Sequence, residues 1–279
     1  MSATKHRAHR PESNHRVALV TGAARGIGAA TVCRLAADGW SVVALDRASD
    51  DPRLPYALGS PQALAATVAR AAERAAASDR IVAVQADACD EAAMAAAIRD
   101  TEARFGGLDA LVAVAGVIAG GVPLWEVPAA QLAAVIEVDL GSVITAARLG
   151  IPAMLRRPSP RQGRFLAVAS VAGTRGLPQL AAYGAAKAGV IGLIRGLAAE
   201  LRGTGITANT VSPGSTRTPM LDESARLYGL AAANSFATQQ LIERLLDPDE
   251  VAATLAWLAG PQGAGLTGAD VVVDGGLSV

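Results

Sequence analysis

Histidine is missing from the body of this chain of 279 residues: His6, His9 and His15 all fall in its polar, basic start. A Ser-His-Asp hydrolase or a His-ligated zinc enzyme needs a histidine inside the fold, so both classes are set aside and no metal is expected. Cysteine is scarce as well. Cys33 sits in an alanine-rich helical pattern and Cys89 follows a strand, too few and too oddly placed for a disulfide framework, so both read as buried or incidental thiols. No apolar run reaches the roughly 18–20 residues of a transmembrane helix. Met1–Arg16 has no apolar centre and so does not read as a secretory signal. A soluble cytoplasmic protein is the expectation. Net charge is absent too: 25 Lys and Arg against 25 Asp and Glu give no electrostatic reason for nucleic acid or an anionic membrane as partner.

What is present is a chain that is 51% hydrophobic and 18% charged, long enough to bury a full core as one α/β domain. Residues 1–15 read as a flexible tail, and residues 16–279 as the folded domain. Short β-branched runs alternate with helical patterns: strands at 16–21, 41–46, 81–85, 108–115, 163–170, 206–211 and 269–273, and helices at 26–38, 61–77, 91–105, 129–155, 181–202 and 249–258. Seven strands alternating with six helices predict a single-domain Rossmann-type fold, a doubly wound parallel sheet with helices on both faces. Two connections are far longer than the roughly 2–6 residues usual between strand and helix. Residues 48–60 and 214–247 both leave carboxyl ends of strands, where ligands sit in such sheets. The first is expected to cover a cofactor and the second, read as irregular, to form a substrate lid.

Thr21-Gly-Ala-Ala-Arg-Gly-Ile-Gly28 joins the first strand to the first helix. Gly22 permits a tight turn, Gly26 lets backbone approach a pyrophosphate, and Gly28 allows close packing, so that phosphates meet unpaired N–H groups at the helix start. Arg25 and Ile27 lie in the same loop. Asp46 ends the second strand, 18 residues beyond Gly28. A carboxylate there accepts hydrogen bonds from the adenosine ribose and repels a 2′-phosphate, which favours NAD over NADP. Arg25 and Arg47, as candidate phosphate partners, pull the other way.

Tyr183 and Lys187 stand four residues apart, on one face of a predicted helix. A free tyrosine has a pKa of about 10, too high for an efficient base at neutral pH, and a neighbouring ammonium lowers it. Ser170 ends the preceding strand, 13 residues before Tyr183, where a hydroxyl can orient a substrate oxygen.

With these pieces in hand, residues 16–279 resemble the short-chain dehydrogenase/reductase family. The matching motifs are Thr21-Gly-x-x-x-Gly-x-Gly28, Ala86-Asp87, Ala115-Gly116, Ser170, Tyr183-x-x-x-Lys187, Ser212-Pro-Gly214 and Val273-Asp-Gly-Gly276. The resemblance implies that Asp87 and Ala88 contact the adenine and that Val114, Ala115 and Gly116 line the cofactor. Pro213, Gly214, Thr216 and Thr218 would hold the nicotinamide end. Tyr183 would exchange the hydroxyl proton, Lys187 bind the nicotinamide ribose, and Ser170 hold the carbonyl oxygen. A homotetramer or dimer is also implied. The chain departs from the family pattern twice. Ala113-Val-Ala-Gly116 replaces Asn-Asn-Ala-Gly, which touches a hydrogen bond between strands. Asp139 stands at the fourth catalytic position, where the family carries asparagine; its charge should alter the pKa of Lys187 and Tyr183 and shift the pH optimum.

A narrower likeness concerns Asp46-Arg and Leu54-Pro-Tyr-Ala-Leu-Gly-Ser-Pro-Gln-Ala-Leu64, which resemble the insertion of mycofactocin-coupled short-chain dehydrogenases. That likeness implies non-exchanging NAD, reoxidised by the peptide-derived carrier mycofactocin. Two other readings stay open: a freely exchanging ketoacyl- or steroid-type reductase, and a non-enzymatic NAD-binding regulatory protein, for which Asp139 is the one sequence support. Met220, Leu221, Leu227, Tyr228, Leu230 and Phe236 in the lid point towards an apolar alcohol as substrate.

Overall fold

The apolar runs become seven strands: β1 (Val17–Thr21), β2 (Ser41–Asp46), β3 (Ile81–Gln85), β4 (Ala110–Ala113), β5 (Arg164–Val168), β6 (Thr207–Pro213) and β7 (Asp270–Val273). The computed structural model describes residues 15–75 and 77–279, so the tail read for residues 1–15 lies almost wholly outside the described residues. All seven strands are parallel, in the order β3-β2-β1-β4-β5-β6-β7. Strands buried on both faces have no need of polar alternation, and β1 and β5 are buried at every position.

The helices are α1 (Gly26–Ala37), α2 (Pro61–Arg74), α3 (Glu91–Phe105), α4 (Ala129–Ile136), α5 (Ser142–Leu155), α6 (Ala181–Glu200), α7 (Pro219–Leu227) and α8 (Pro248–Ala259). They cover both faces. Ala18 and Val20 of β1 point into one apolar layer with Val32 of α1, Leu64 of α2 and Leu255 of α8. Leu19 points into the opposite layer with Met94 of α3, Val143 of α5 and Ile194 of α6. Local signals set several helix ends. The Ser60 side chain caps α2 ahead of Pro61, Asp90 caps α3, and Gly106 stops α3 in the left-handed region.

Three expectations need correction. The single helix expected at 129–155 is broken by a π turn, Glu137–Gly141, between α4 and α5. An inserted residue of this kind leaves no mark in an apolar periodicity. The lid at 214–247 is not irregular throughout: it holds α7 and a 3₁₀ turn, Ala233–Gln239. Six expected helices are therefore eight. Strand and helix ends elsewhere moved by a few residues, with β4 trimmed from 108–115 to Ala110–Ala113. Among the described residues no helix is long and apolar enough to cross a membrane.

Candidate active site

The strand order reverses between β1 and β4, and a crevice opens there, outside the carboxyl ends of the strands. It forms a cavity of about 690 Å³ running from the glycine loop to the lid.

At one end lies the start of α1. Gly22 is in the left-handed region at φ +67°, and a Cβ there would fall 2.7 Å from Ala115 N. A Cβ on Gly28 would fall 2.0 Å from Gly22 O, so helix and turn touch through glycine alone. The N-cap position, Arg25, makes no side-chain capping bond, and α1 has no acidic residue in its first turn. Its leading N–H groups thus face the cleft as an uncapped donor set, which suits a pyrophosphate. Gly22, Arg25, Gly26, Ile27 and Gly28 all line the cavity. Thr21 Oγ1 accepts from Val114 N at 3.1 Å and Ala115 N at 3.2 Å, so a threonine side chain holds the β1–β4 junction where the family's asparagines are absent.

Asp46 also lines the cavity, and its carboxylate is anchored by Ala24 N at 2.9 Å and Ala48 N at 2.8 Å. Of the two arginines that could meet a 2′-phosphate, Arg47 is taken up in ion pairs. Arg25 donates to Ala57 O at 2.9 Å, and Arg47 pairs with Asp51 at 3.1 Å and Asp87 at 3.7 Å. Asp87 and Ala88 lie beside them on the wall. So does Cys89, whose thiol is pushed up to about 12 by burial and by the Asp87 and Glu137 carboxylates, so it stays protonated and is a poor nucleophile.

The 48–60 segment runs along the cleft from this end to the other. Leu54, Tyr56 and Leu58 pack with Val117, Ile118, Leu180 and Tyr183, and Ile118 N donates to Tyr56 Oη at 2.8 Å. Gly59 is pressed so close that a Cβ would fall 2.8 Å from Asp46 Oδ1. Buried Asp51 ties the segment down. It accepts from Arg53 N and Nη2, and Arg53 reaches on to Glu137 beyond β4. The Arg53 hydrogen bonds hold the Asp51 carboxyl well below the ordinary carboxylate range.

At the other end, Ser170, Tyr183 and Lys187 converge. Ser170 caps a 3₁₀ turn, Val171–Gly173, its Oγ accepting from Ala172 N at 3.1 Å. The Ser170 hydroxyl stands by the Tyr183 phenol and works to lower its pKa. Lys187 Nζ stands 5.6 Å from the Tyr183 ring centroid and donates to Val168 O at 3.2 Å. Pro213, Gly214, Thr216 and Thr218 complete this wall, with Val114, Ala115 and Gly116 between the two ends.

Asp139 does not line the cavity; it lies behind Lys187, fully buried in the π turn. Its Oδ1 is 3.0 Å from Lys187 Nζ and accepts from Val117 N at 3.3 Å, while Oδ2 has no partner. A Cβ on Gly116 would fall 2.7 Å from that Oδ1, so only glycine admits the pair. Burial raises the Asp139 pKa against the pull of Lys187. Burial works to lower Lys187, but the charges of Asp139 and Tyr183 and the Asp139 hydrogen bond prevail and raise it.

The Tyr183 pKa moves opposite to the simple expectation. Burial raises it, Lys187 opposes the rise, and Asp139 adds to it. The ammonium acts in the expected sense, but desolvation outweighs it. The lid also differs in one residue: Met220, Leu221, Tyr228, Leu230 and Phe236 reach the cavity, whereas Leu227 packs against Gly121 instead. Sequence reasoning missed Arg175 and Tyr56 on this site. No local pattern marks either, although Tyr56 falls within the insertion.

The family model described as enoyl-(acyl carrier protein) reductase matches residues 22–278. The chain belongs to the short-chain dehydrogenase/reductase family. It is 38% identical over 267 residues to cis-4-hydroxycyclohexanecarboxylate dehydrogenase of Sinomonas cyclohexanicum, covering 94% of this chain and 96% of the relative. It is 37% identical over 208 residues to 2-dehydro-3-deoxy-L-rhamnonate dehydrogenase (NAD(+)) of Sphingomonas sp. (strain SKA58), covering 75% of each. Among solved structures, carveol dehydrogenase from Mycobacterium avium in complex with NAD superposes with a TM-score of 0.87 at 30% identity, over 95% of this chain and 98% of that one.

Proposed function

We propose that this protein is an NAD-dependent dehydrogenase that interconverts an alcohol and a ketone or aldehyde, with Tyr183 as its acid–base residue. The observation that carries the reading is one cleft with an uncapped helix start at one end and Ser170, Tyr183 and Lys187 at the other. NAD is the cofactor this cleft fits: the Asp46 carboxylate faces the adenosine half and disfavours a 2′-phosphate, and Arg47 is paired with Asp51 and Asp87. Two of the proteins it resembles carry NAD in their names.

When bound, NAD supplies the acceptor for the hydride leaving the alcohol carbon. This chain's own residues do the rest. Ser170 holds the substrate oxygen, and Tyr183, as phenolate, takes the hydroxyl proton as the C=O bond forms. Lys187 stabilises that phenolate and holds the nicotinamide ribose. Asp139 is a positioning residue that acts through Lys187, fixing its ammonium and setting its charge balance. Holding these groups in register accounts for much of the acceleration. In reduction the same groups run the path backwards.

The 48–60 segment serves as a cover over the adenosine half, supported by the close approach of Gly59 to Asp46 and by the Asp51–Arg53–Glu137 tether. The finer reading is a dehydrogenase that keeps its NAD between turnovers and passes electrons to mycofactocin, working as a homotetramer or dimer. Its support is the insertion's sequence and its closed placement. The test is to purify the protein, desalt it, denature it and identify any nucleotide released, then screen alcohols with free NAD and with an artificial electron acceptor. Turnover with either supports the dehydrogenase. Retained NAD with acceptor-dependent turnover supports the covered form, and free exchange with added NAD counts against it.

A further inference from the structure

Beyond Ser170 and Tyr183 the lid end of the cleft wall is largely apolar, built from Leu177, Leu180, Met220, Tyr228 and Phe236 with Ser224 and Gln239 among them. One cation interrupts it. Arg175 lines the same cavity, in the turn that runs from Ser170 to α6. Its backbone N–H donates to Val171 O at 2.8 Å, which ties it to the segment carrying Ser170.

Two of the other cations of the cavity are paired, and the third stands at the glycine-loop end. Lys187 pairs with Asp139, Arg47 with Asp51, and Arg25 donates to Ala57 O at the glycine-loop end. Arg175 forms no ion pair among the described residues. Its one side-chain hydrogen bond runs from Nη1 to Leu277 O. That leaves the Nε and Nη2 edge of the guanidinium open, the edge whose parallel donors match a carboxylate. Arg175 is exposed, on the rim of the cleft, and an arginine there without a carboxylate of its own is suited to one brought by a ligand.

We propose that Arg175 is a carboxylate anchor, and that the substrate is a hydroxy or oxo acid held with its acid group at Arg175 and its reacting carbon at Tyr183. This rests on the dehydrogenase reading and deepens it by naming the substrate class. The apolar side chains between the two ends contact the carbon skeleton. The phosphates of a nucleotide thioester offer the same negative charge from another source, and the experiment separates the two. A charge-assisted hydrogen bond in such a site is worth about tenfold to a hundredfold in affinity.

The test titrates the NAD-loaded protein with cyclohexanecarboxylate, its uncharged carboxamide and coenzyme A, by calorimetry, in wild type, Arg175→Met and Arg175→Lys. NADH formation is then followed with 4-hydroxycyclohexanecarboxylate and with the matching hydroxy amide. The wild type is expected to prefer the carboxylate at least about tenfold. Arg175→Met brings the carboxylate-to-carboxamide ratio near unity, and Arg175→Lys, which keeps the charge but loses the fork, falls between. The carboxamide titration in each variant reports that the cleft is still formed. A wild-type ratio near unity overturns the proposal, as does a preference that survives Arg175→Met, or a response to Arg175→Met seen with coenzyme A alone. Failure of the dehydrogenase reading looks different: no NADH from either alcohol, with the Arg175-dependent binding preference intact, supports the anchor and removes the redox assignment.

Discussion

Replacing Asp139 by asparagine removes one buried negative charge while keeping an acceptor oxygen beside Lys187. The carboxylate is 3.0 Å from Lys187 Nζ, which in turn is 5.6 Å from the Tyr183 ring centroid. At a separation of about 8 Å and an effective dielectric of about 20, one unit charge contributes about 2 kcal/mol, or about 1.5 pH units. The sign follows from the charges. An anion at Asp139 disfavours the phenolate, so Tyr183 stands higher with Asp139 than without it. Alcohol oxidation needs the phenolate, and its rate falls as pH drops below the Tyr183 pKa. Asp139→Asn should therefore move the acid limb of kcat/KM for oxidation to lower pH by about 1.5 pH units, or about 1 with solvent screening. The assay is a pH–rate profile with a slow alcohol, so that chemistry limits turnover. Thermal unfolding of the same variant checks folding, because losing the partner of a buried lysine costs up to about 3–5 kcal/mol. A limb that stays put would show Asp139 to be protonated while Tyr183 titrates, and a limb that rises would reverse the charge argument.

The remaining predictions concern proton transfer, cofactor choice and cofactor retention. Tyr183→Phe should lower turnover at least about 10²-fold while leaving NAD bound, read by stopped assays and by nucleotide release; turnover near wild type would remove Tyr183 from the chemistry. Asp46→Asn should narrow the preference for NAD over NADP by about tenfold in kcat/KM, and an unchanged ratio would mean that the adenosine ribose lies elsewhere. Asp51→Asn should loosen the 48–60 segment and speed NAD dissociation by about tenfold, measured by exchange with labelled NAD, since it breaks the charge-assisted bonds of Asp51 to Arg53 and Arg47. Because the Asp51 carboxyl is held below its ordinary range, its contribution is fully present above about pH 4 and is lost as pH falls below that. Wild-type NAD retention should follow that window, and loss of NAD on raising the pH instead would contradict the tether.

Much of the fold was readable because its strands are short β-branched runs buried on both faces, as in Val17–Thr21 and Ser41–Asp46. The candidate site was readable where its chemistry is carried by residue type and spacing: the glycine loop, Asp46, Ser170, and the pair Tyr183 and Lys187. What stayed hidden depends on contacts distant in sequence. The Tyr183 pKa direction is set by desolvation, which no motif encodes. Tyr56 meets Ile118 across 62 residues of chain. Arg175 lies in a turn without periodicity, and its use emerges only once the cleft is formed around it. The start of α7 was legible in Thr218-Pro219, where the Thr218 Oγ1 accepts from Leu221 N and proline takes the first helical position. The length of the surrounding connection drew it instead into one irregular lid.

The π turn at Glu137–Gly141 works as a shim. Deleting one residue there would restore regular winding with α4 and α5 near their present phase, but the side chains within the turn, Asp139 among them, would be re-aimed. The acid group would leave the lysine it faces while the apolar stripe of α4 kept its neighbours. A shortened chain could thus gain a smoother helix and lose its chemistry, which makes the length of this segment, as much as its residue identities, a constraint on variants of the enzyme.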